Sequence, residues 1–335
     1  MATTAPGKVK PKFDAKETSE RLHNAIEGTR TEEQVLIDVL TAANSEERTE
    51  LKYTYKILYD KNLVDAIAGD KIHLGNFQKA CIGLLKNAPD FDAECARFAL
   101  SNAPSIDENA LIDVICSSGT EEIVAMTEAY NKLYERNLEE DVKNGTEGDL
   151  QKVLMALLKP SRADREELDF EAAKADAIKL YGDGKVKLGA DESDFFDIMV
   201  KRSHTQLKLT FFEYTELSKR DILEVIDSDL SDIMGKAMKA IALFVTNKYK
   251  YYAYNLYKSM KGFGTNEAIL THIIIKTHEH EMPGIKESFF KEYKESLTSW
   301  VADDTSGYYR DILLALIGPD SGEVTVKEGQ VKKQT

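Results

Sequence analysis

The chain has 335 residues and a mass of 37.6 kDa, with 58 acidic against 44 basic side chains, for a formal charge of −14. That balance argues against a nucleic-acid partner, and against an anionic membrane unless a cation bridges the two. Glycine and proline total 19 + 7 = 26 residues, which favours helices over a turn-rich β protein, while 42% hydrophobic residues suffice for a core. The length fits two or three domains or a repeat array. The longest apolar runs, Ala240 to Val245 and Ile312 to Ile317, are six residues each, far short of a bilayer span. No apolar leader follows Met1, and Cys81, Cys95 and Cys116 sit in apolar helical patterns without metal spacing. A cytoplasmic, all-α protein with buried thiols is expected.

In chain order, residues 1–14 form a short N-terminal segment carrying Lys8, Lys10 and Lys12. A helix through Leu22 and Ile26 follows, then a loop at Gly28 and a second helix opened by the capping-box pattern Thr31-Glu-Glu-Gln34. Its apolar pairs Val35/Leu36 and Val39/Leu40 give one broad face that needs neighbours. The paired pattern returns at Leu111/Ile112 with Ile115/Cys116, at Phe195/Phe196 with Met199/Val200, and at Ile269/Leu270 with Ile273/Ile274. The intervals are 111 − 35 = 76, 195 − 111 = 84 and 269 − 195 = 74 residues.

Two further registers agree. The segment from Tyr55 to Leu63 matches that from Tyr130 to Leu138 at an offset of 130 − 55 = 75, with Tyr214 and Tyr293 in the same place in weaker copies. A small or acidic residue opens a last apolar helix at Gly75, Gly148, Asp232 and Gly307. A unit of about five short helices thus occurs four times. The repeats span 15–89, 90–160, 161–246 and 247–318, and a polar extension covers 319–335. The polar stretch from Pro160 to Glu167 lengthens the third interval and divides the array into halves.

The loop Met260-Lys-Gly-Phe-Gly-Thr-Asn266 lies between two helices, and glycines at 262 and 264 allow successive carbonyls to turn toward one point. A hard divalent cation needs oxygen ligands, six to eight for Ca²⁺. Carbonyls of Met260, Gly262 and Gly264 supply three, and a bidentate Asp304 brings the count to five. The remaining positions are open to water or a lipid phosphate oxygen, which would join an acidic protein to an acidic surface.

At these residues the chain resembles the annexin family. Lys261-Gly-x-Gly-Thr265, with an acid 304 − 262 = 42 residues after the first glycine, is similar to that family's Ca²⁺ signature, and the likeness covers residues 15 to 318. The resemblance implies a curved disc of four repeats with calcium loops on its convex face. It also implies, for repeat three, carbonyl ligands at Gly184, Lys187 and Gly189, with Asp229 as the acid. In repeat one the matching positions are Ile26, Gly28, Arg30 and Asp70, a degraded site because arginine replaces the second glycine. Repeat two has Ser101-Asn-Ala-Pro-Ser105 for the loop and Gly145 for the acid, so no site is expected there. Leu188 and Phe263 stand between ligand carbonyls as apolar tips suited to membrane contact, or to packing on an adjacent helix.

Other patterns read as structure. Glu33, Glu192 and Glu267 suit helix N-termini, and His278 with His280 lacks the spacing of a zinc helix. No catalytic constellation is present, so an enzyme is not expected. Divergence in repeats one and two, with the tail, looks like the alpha-giardin branch, which implies cytoskeletal or flagellar association. The function expected is Ca²⁺-dependent binding to anionic phospholipid membranes, linking membrane to a cytoskeletal protein. The alternative is a Ca²⁺-independent helical scaffold that binds such a protein, with vestigial loops.

Overall fold

The computed structural model describes residues 13–28, 31–69, 75–101, 106–159, 168–182, 192–230 and 233–320, and these form twenty helices and no strand. The first set is α1 (Ala15–Glu27), α2 (Glu33–Ala42), α3 (Ser45–Tyr59), α4 (Leu63–Ala68) and α5 (Asn76–Leu84). The second is α6 (Ala88–Ser101), α7 (Glu108–Cys116), α8 (Thr120–Tyr134), α9 (Leu138–Gly145) and α10 (Gly148–Leu158). The third is α11 (Phe170–Tyr181), α12 (Glu192–Lys201), α13 (His204–Ser218), α14 (Ile222–Asp229) and α15 (Ile233–Thr246). The fourth is α16 (Lys248–Met260), α17 (Glu267–Thr277), α18 (Met282–Tyr293), α19 (Leu297–Asp304) and α20 (Gly307–Ile317). Helices of this length are marginal alone in water, so packing of their apolar faces holds them.

The repeat is written in the backbone. The third helix of each set ends on a left-handed residue that is not glycine: Asp60 (φ 52°), Glu135 (φ 52°), Lys219 (φ 58°) and Lys294 (φ 63°). Their intervals are 135 − 60 = 75, 219 − 135 = 84 and 294 − 219 = 75 residues. Each such residue costs roughly 1–2 kcal/mol, offset by its N–H donating to the carbonyl four residues back, at Lys56, Asn131, Thr215 and Phe290. Five residues before each cap stands a buried aromatic: Tyr55, Tyr130, Tyr214 and Phe289. Phe289 therefore holds the place assigned above to Tyr293, which lies one turn later and stacks on Tyr257 with ring centroids 3.9 Å apart.

Two local expectations are corrected. No capping box forms at Thr31, because α2 begins at Glu33 with Glu32 as an N-cap whose side chain makes no capping bond. The Glu32 N–H instead donates to the Ala25 carbonyl at 3.1 Å and ties the helix start back to α1. The box is found at α3, between Asn44 and Glu47.

The halves expected on either side of residues 160–167 are not the compact units. One unit is Met1–Asn87 with Val301–Thr335, and the other is Ala88–Trp300. Within the first, α20 packs on α2 and α5, and Tyr308 meets Phe77 at 5.8 Å, so the last helix completes the core of the first repeat. Within the second, α15 buries its apolar face against α7 and α10, and α17 against α6 and α7. That packing spans the polar stretch, since faces as apolar as those of α7 and α10 must be covered by something.

Candidate functional site

The left-handed caps fix where the acids fall. Ten residues after each lie 60 + 10 = 70, 135 + 10 = 145, 219 + 10 = 229 and 294 + 10 = 304. Asp229 is the last residue of α14, Asp304 the last of α19, and Gly145 the last of α9, so the three stand at one structural place. At Gly145 an added Cβ would come within 3.1 Å of the Leu100 side chain, and repeat two has no carboxylate in this position. A carboxylate ending a helix meets the negative end of the helix dipole, an unfavourable placement of about 0.3–1 kcal/mol. Asp229 and Asp304 are therefore poorly explained by helix stability, and a cation beside each would remove the conflict. Asp229 Oδ1 accepts from Ser228 Oγ at 2.6 Å.

The glycine loop of repeat four is built from both ends. The Met260 side chain is buried, and the Asn266 N–H donates to the Ser259 carbonyl at 2.7 Å. Asn266 also caps α17, its Oδ1 accepting from Ile269 N–H at 3.1 Å. Between these anchors Gly262 has φ 112° and Gly264 φ 80°, and a Cβ at either would find open space within 4 Å. The glycines thus serve the backbone path rather than packing. Phe263 between them is fully exposed, at 112% of its reference area.

Repeat one lacks this geometry in its described part. Ile26 is buried within α1, and Gly28 has φ −59°, a value any residue adopts. The expected residues Arg30, Asp70, Gly184, Lys187, Leu188 and Gly189 lie outside the described residues. No group of three or more His, Cys, Asp or Glu able to hold a metal exists among the described residues. A cation at residues 260–264 would depend on carbonyls and a single acid, a donor set that suits a hard ion such as Ca²⁺ and not zinc.

One polar cluster escaped the sequence reading. His272 of α17 is 3% exposed, with Nε2 at 2.7 Å from Asp92 Oδ1 of α6 and Nδ1 at 3.0 Å from Asp113 Oδ2 of α7. Both nitrogens face carboxylates, an arrangement that favours the doubly protonated imidazolium. Lys276 Nζ donates to Asp92 Oδ2 at 3.0 Å, and Tyr251 Oη and Asn255 Nδ2 donate to Asp113 Oδ1 at 2.8 and 3.1 Å. Burial opposes the charge on His272, yet bonds to Asp113 and Asp92 raise its pKa to about 8. Burial also opposes ionisation of Asp92, but the Lys276 charge and the His272 bond hold it down to about 2. The cluster joins α17, which the glycine loop precedes, to α6 and α7. Its signal in the sequence is an aspartate inside the apolar run from Leu111 to Cys116.

No helix among the described residues is long and apolar enough to cross a membrane. The family model described as Annexin matches residues 17–84, 91–157, 175–241 and 251–316. Annexin A13 of Canis lupus familiaris is 37% identical over 305 residues, which cover 91% of this chain and 96% of the relative. The solved structure of annexin III matches with a TM-score of 0.85 at 32% identity, covering 93% of this chain and 96% of that one. Calcium-bound annexin (Sm)1 matches at 0.80 and 28% identity, covering 91% and 90%. Calcium-bound alpha-14 giardin, at 0.79 and 17% identity over 91% and 100%, shares the fold alone.

Proposed function

The chain belongs to the annexin family, and from that premise we propose that it attaches peripherally to anionic phospholipid surfaces when Ca²⁺ is bound. Annexins bind Ca²⁺, and the family consists in general of membrane-binding proteins rather than enzymes. The observation that carries the reading is the loop around Gly262 and Gly264, with its positive φ angles and its exposed phenylalanine. Carbonyls of Met260, Gly262 and Gly264 would hold one ion, with Asp304 as the acid assigned by the 42-residue offset. Gly184, Lys187 and Gly189 with Asp229 are the corresponding assignment in repeat three.

Five protein oxygens leave a seven-coordinate Ca²⁺ about two positions for outside ligands. The bound ion supplies positive charge there, and a lipid phosphate can enter its shell. Phe263 and Leu188 then reach the interfacial zone as apolar tips. One carboxylate per site gives weak affinity without lipid, roughly 10⁻⁵–10⁻³ M, and lipid tightens it through linkage. Cytoskeletal attachment rested on the likeness to giardins, which carries the fold alone, and it forms no part of the proposal.

Sedimentation with phosphatidylserine vesicles tests the reading. Asp229→Ala with Asp304→Ala removes two negative charges, so a bare charge model has the double variant binding vesicles better. Coordination has it binding worse at every Ca²⁺ concentration. Improved binding by the double variant would leave the Ca²⁺-independent scaffold in front.

A further inference from the structure

A cleft of about 330 Å³ opens where the first turn of α13 meets the junction of α15 and α16. His204 and Lys208 line it from α13, Phe244 from α15, and Asn247, Lys248 and Tyr249 from the junction. No carboxylate lines it, in a chain where acids outnumber bases by 58 to 44. The walls are fixed from behind. His204 meets Phe244 edge-on at 5.5 Å, and Lys248 pairs with Glu281 at 2.6 Å. The Tyr249 ring lies so close over Gly284 that a Cβ there would come within 2.8 Å of it. Lys208 is exposed and has no ion pair or hydrogen bond among the described residues.

One positive charge also stands where local electrostatics disfavours it. Lys248 is the first residue of α16, a helix with no acid in its first turn. Helix N-termini carry partial positive charge, so cations gathered there repel it. Departures from local preference of this kind mark sites at which function has overridden stability. An anion entering the cleft would add to the compensation that Glu281 gives Lys248, and the side chains of Phe244 and Tyr249 line the space beside it.

We propose that this cleft binds a phosphate monoester whose organic part is aromatic or otherwise apolar. The phosphate oxygens take the uncommitted Lys208 ammonium and share that of Lys248, while the organic part lies along Tyr249. No Ca²⁺ takes part, so the site is independent of the function proposed above. A soluble ester and a lipid that ends in a phosphate monoester present the same group.

Titration calorimetry of the full chain in EGTA tests the site with phenyl phosphate and with inorganic phosphate. Phenyl phosphate is expected to bind with a Kd near about 1 mM or tighter, in keeping with its size, and inorganic phosphate several-fold more weakly. Lys208→Gln is expected to weaken phenyl phosphate by about fivefold, the scale of one exposed ion pair. Lys258→Gln, an exposed cation on α16 outside the cleft, is expected to leave it unchanged. Failure of phenyl phosphate to bind at about ten times that concentration, or equal losses in the two variants, would overturn the proposal. Vesicles of phosphatidic acid in EGTA then separate the sources. Sedimentation that Lys208→Gln weakens and Lys258→Gln does not identifies a lipid headgroup, and absence of sedimentation beside a positive titration identifies a soluble ester.

Discussion

Asn266 Nδ2 donates to Asp107 Oδ2 at 3.1 Å, and this bond joins the N-caps of two helices, α17 and α7. Each residue also caps its own helix, Asp107 Oδ1 accepting from Ala110 N–H at 3.0 Å and Asn266 Oδ1 from Ile269 N–H at 3.1 Å. The end of the glycine loop is thereby held by the second repeat as well as by the fourth.

Asp107→Ala removes a cap and a charge-assisted bond together, and is expected to destabilise the protein by about 1–2 kcal/mol. Asn266→Ala is expected to do the same. Because the two share one bond, the double variant should fall short of the sum by about 0.5–1 kcal/mol in urea unfolding. Strict additivity would show that the bond between the caps contributes nothing.

The buried cluster around His272 sets a pH dependence of known sign. The folded pKa of His272, about 8, lies above its ordinary 6.5, so its contribution is complete below pH 6.5 and is lost as pH rises through 8. The folded pKa of Asp92, about 2, lies below its ordinary 3.8, so that contribution is present above pH 3.8 and is lost as pH falls through 2. Raising the pH from 6 to 9 is expected to remove about 2 kcal/mol of stability, the value of a shift of this size at a buried site. Urea unfolding at the two pH values measures it. His272→Gln is less stable at pH 6 but should lack most of this alkaline decline, and an unaltered decline would place its cause elsewhere.

Gly264→Ala meets no steric obstacle but must hold φ near 80°, at a strain of roughly 1–2 kcal/mol. Part of that strain appears as a less well formed loop. The variant is expected to need more Ca²⁺ for vesicle sedimentation and to melt at a lower temperature. Gly28→Ala, at φ −59°, carries no such backbone strain and should shift neither by a comparable amount.

Phe263→Ser changes a side chain that packs on nothing, so its stability should stay within about 0.5 kcal/mol of the wild type. Vesicle binding at a fixed, sub-saturating Ca²⁺ concentration should nevertheless fall. Unchanged binding would take the loop tip out of the membrane contact.

Asp304→Ala and Asp229→Ala should each raise the Ca²⁺ needed for half-maximal sedimentation by roughly tenfold, since each removes the only charged ligand assigned to its ion. Asn144→Ala, beside the glycine that holds the acid's place in repeat two, should change nothing. The rise in melting temperature on adding Ca²⁺ should shrink in both aspartate variants, because a ligand stabilises only through the sites it occupies.

The helical class, the fourfold repeat and the loop from Met260 to Asn266 were legible in the residues themselves. Each rests on local rules: apolar pairs one turn apart need a helix, and two glycines one residue apart permit a backbone path closed to other residues. Local rules also misled, at Thr31, where a tether to Ala25 replaced the capping box, and at Tyr293, where the aromatic spacing hid the true counterpart, Phe289. Tertiary structure alone decided which helices share a core. The last helix closes on Phe77 of the first repeat, and α15 covers α7 and α10 across a polar stretch that reads as a boundary. Likewise, no spacing rule relates Asp92 and Asp113 to His272, since residues 180 and 159 positions apart meet only when their helices pack. A hydrophobic face specifies that it must be buried but not by which partner, and a buried charge specifies that it needs a counter-charge but not from where. Both choices belong to the packed chain as a whole.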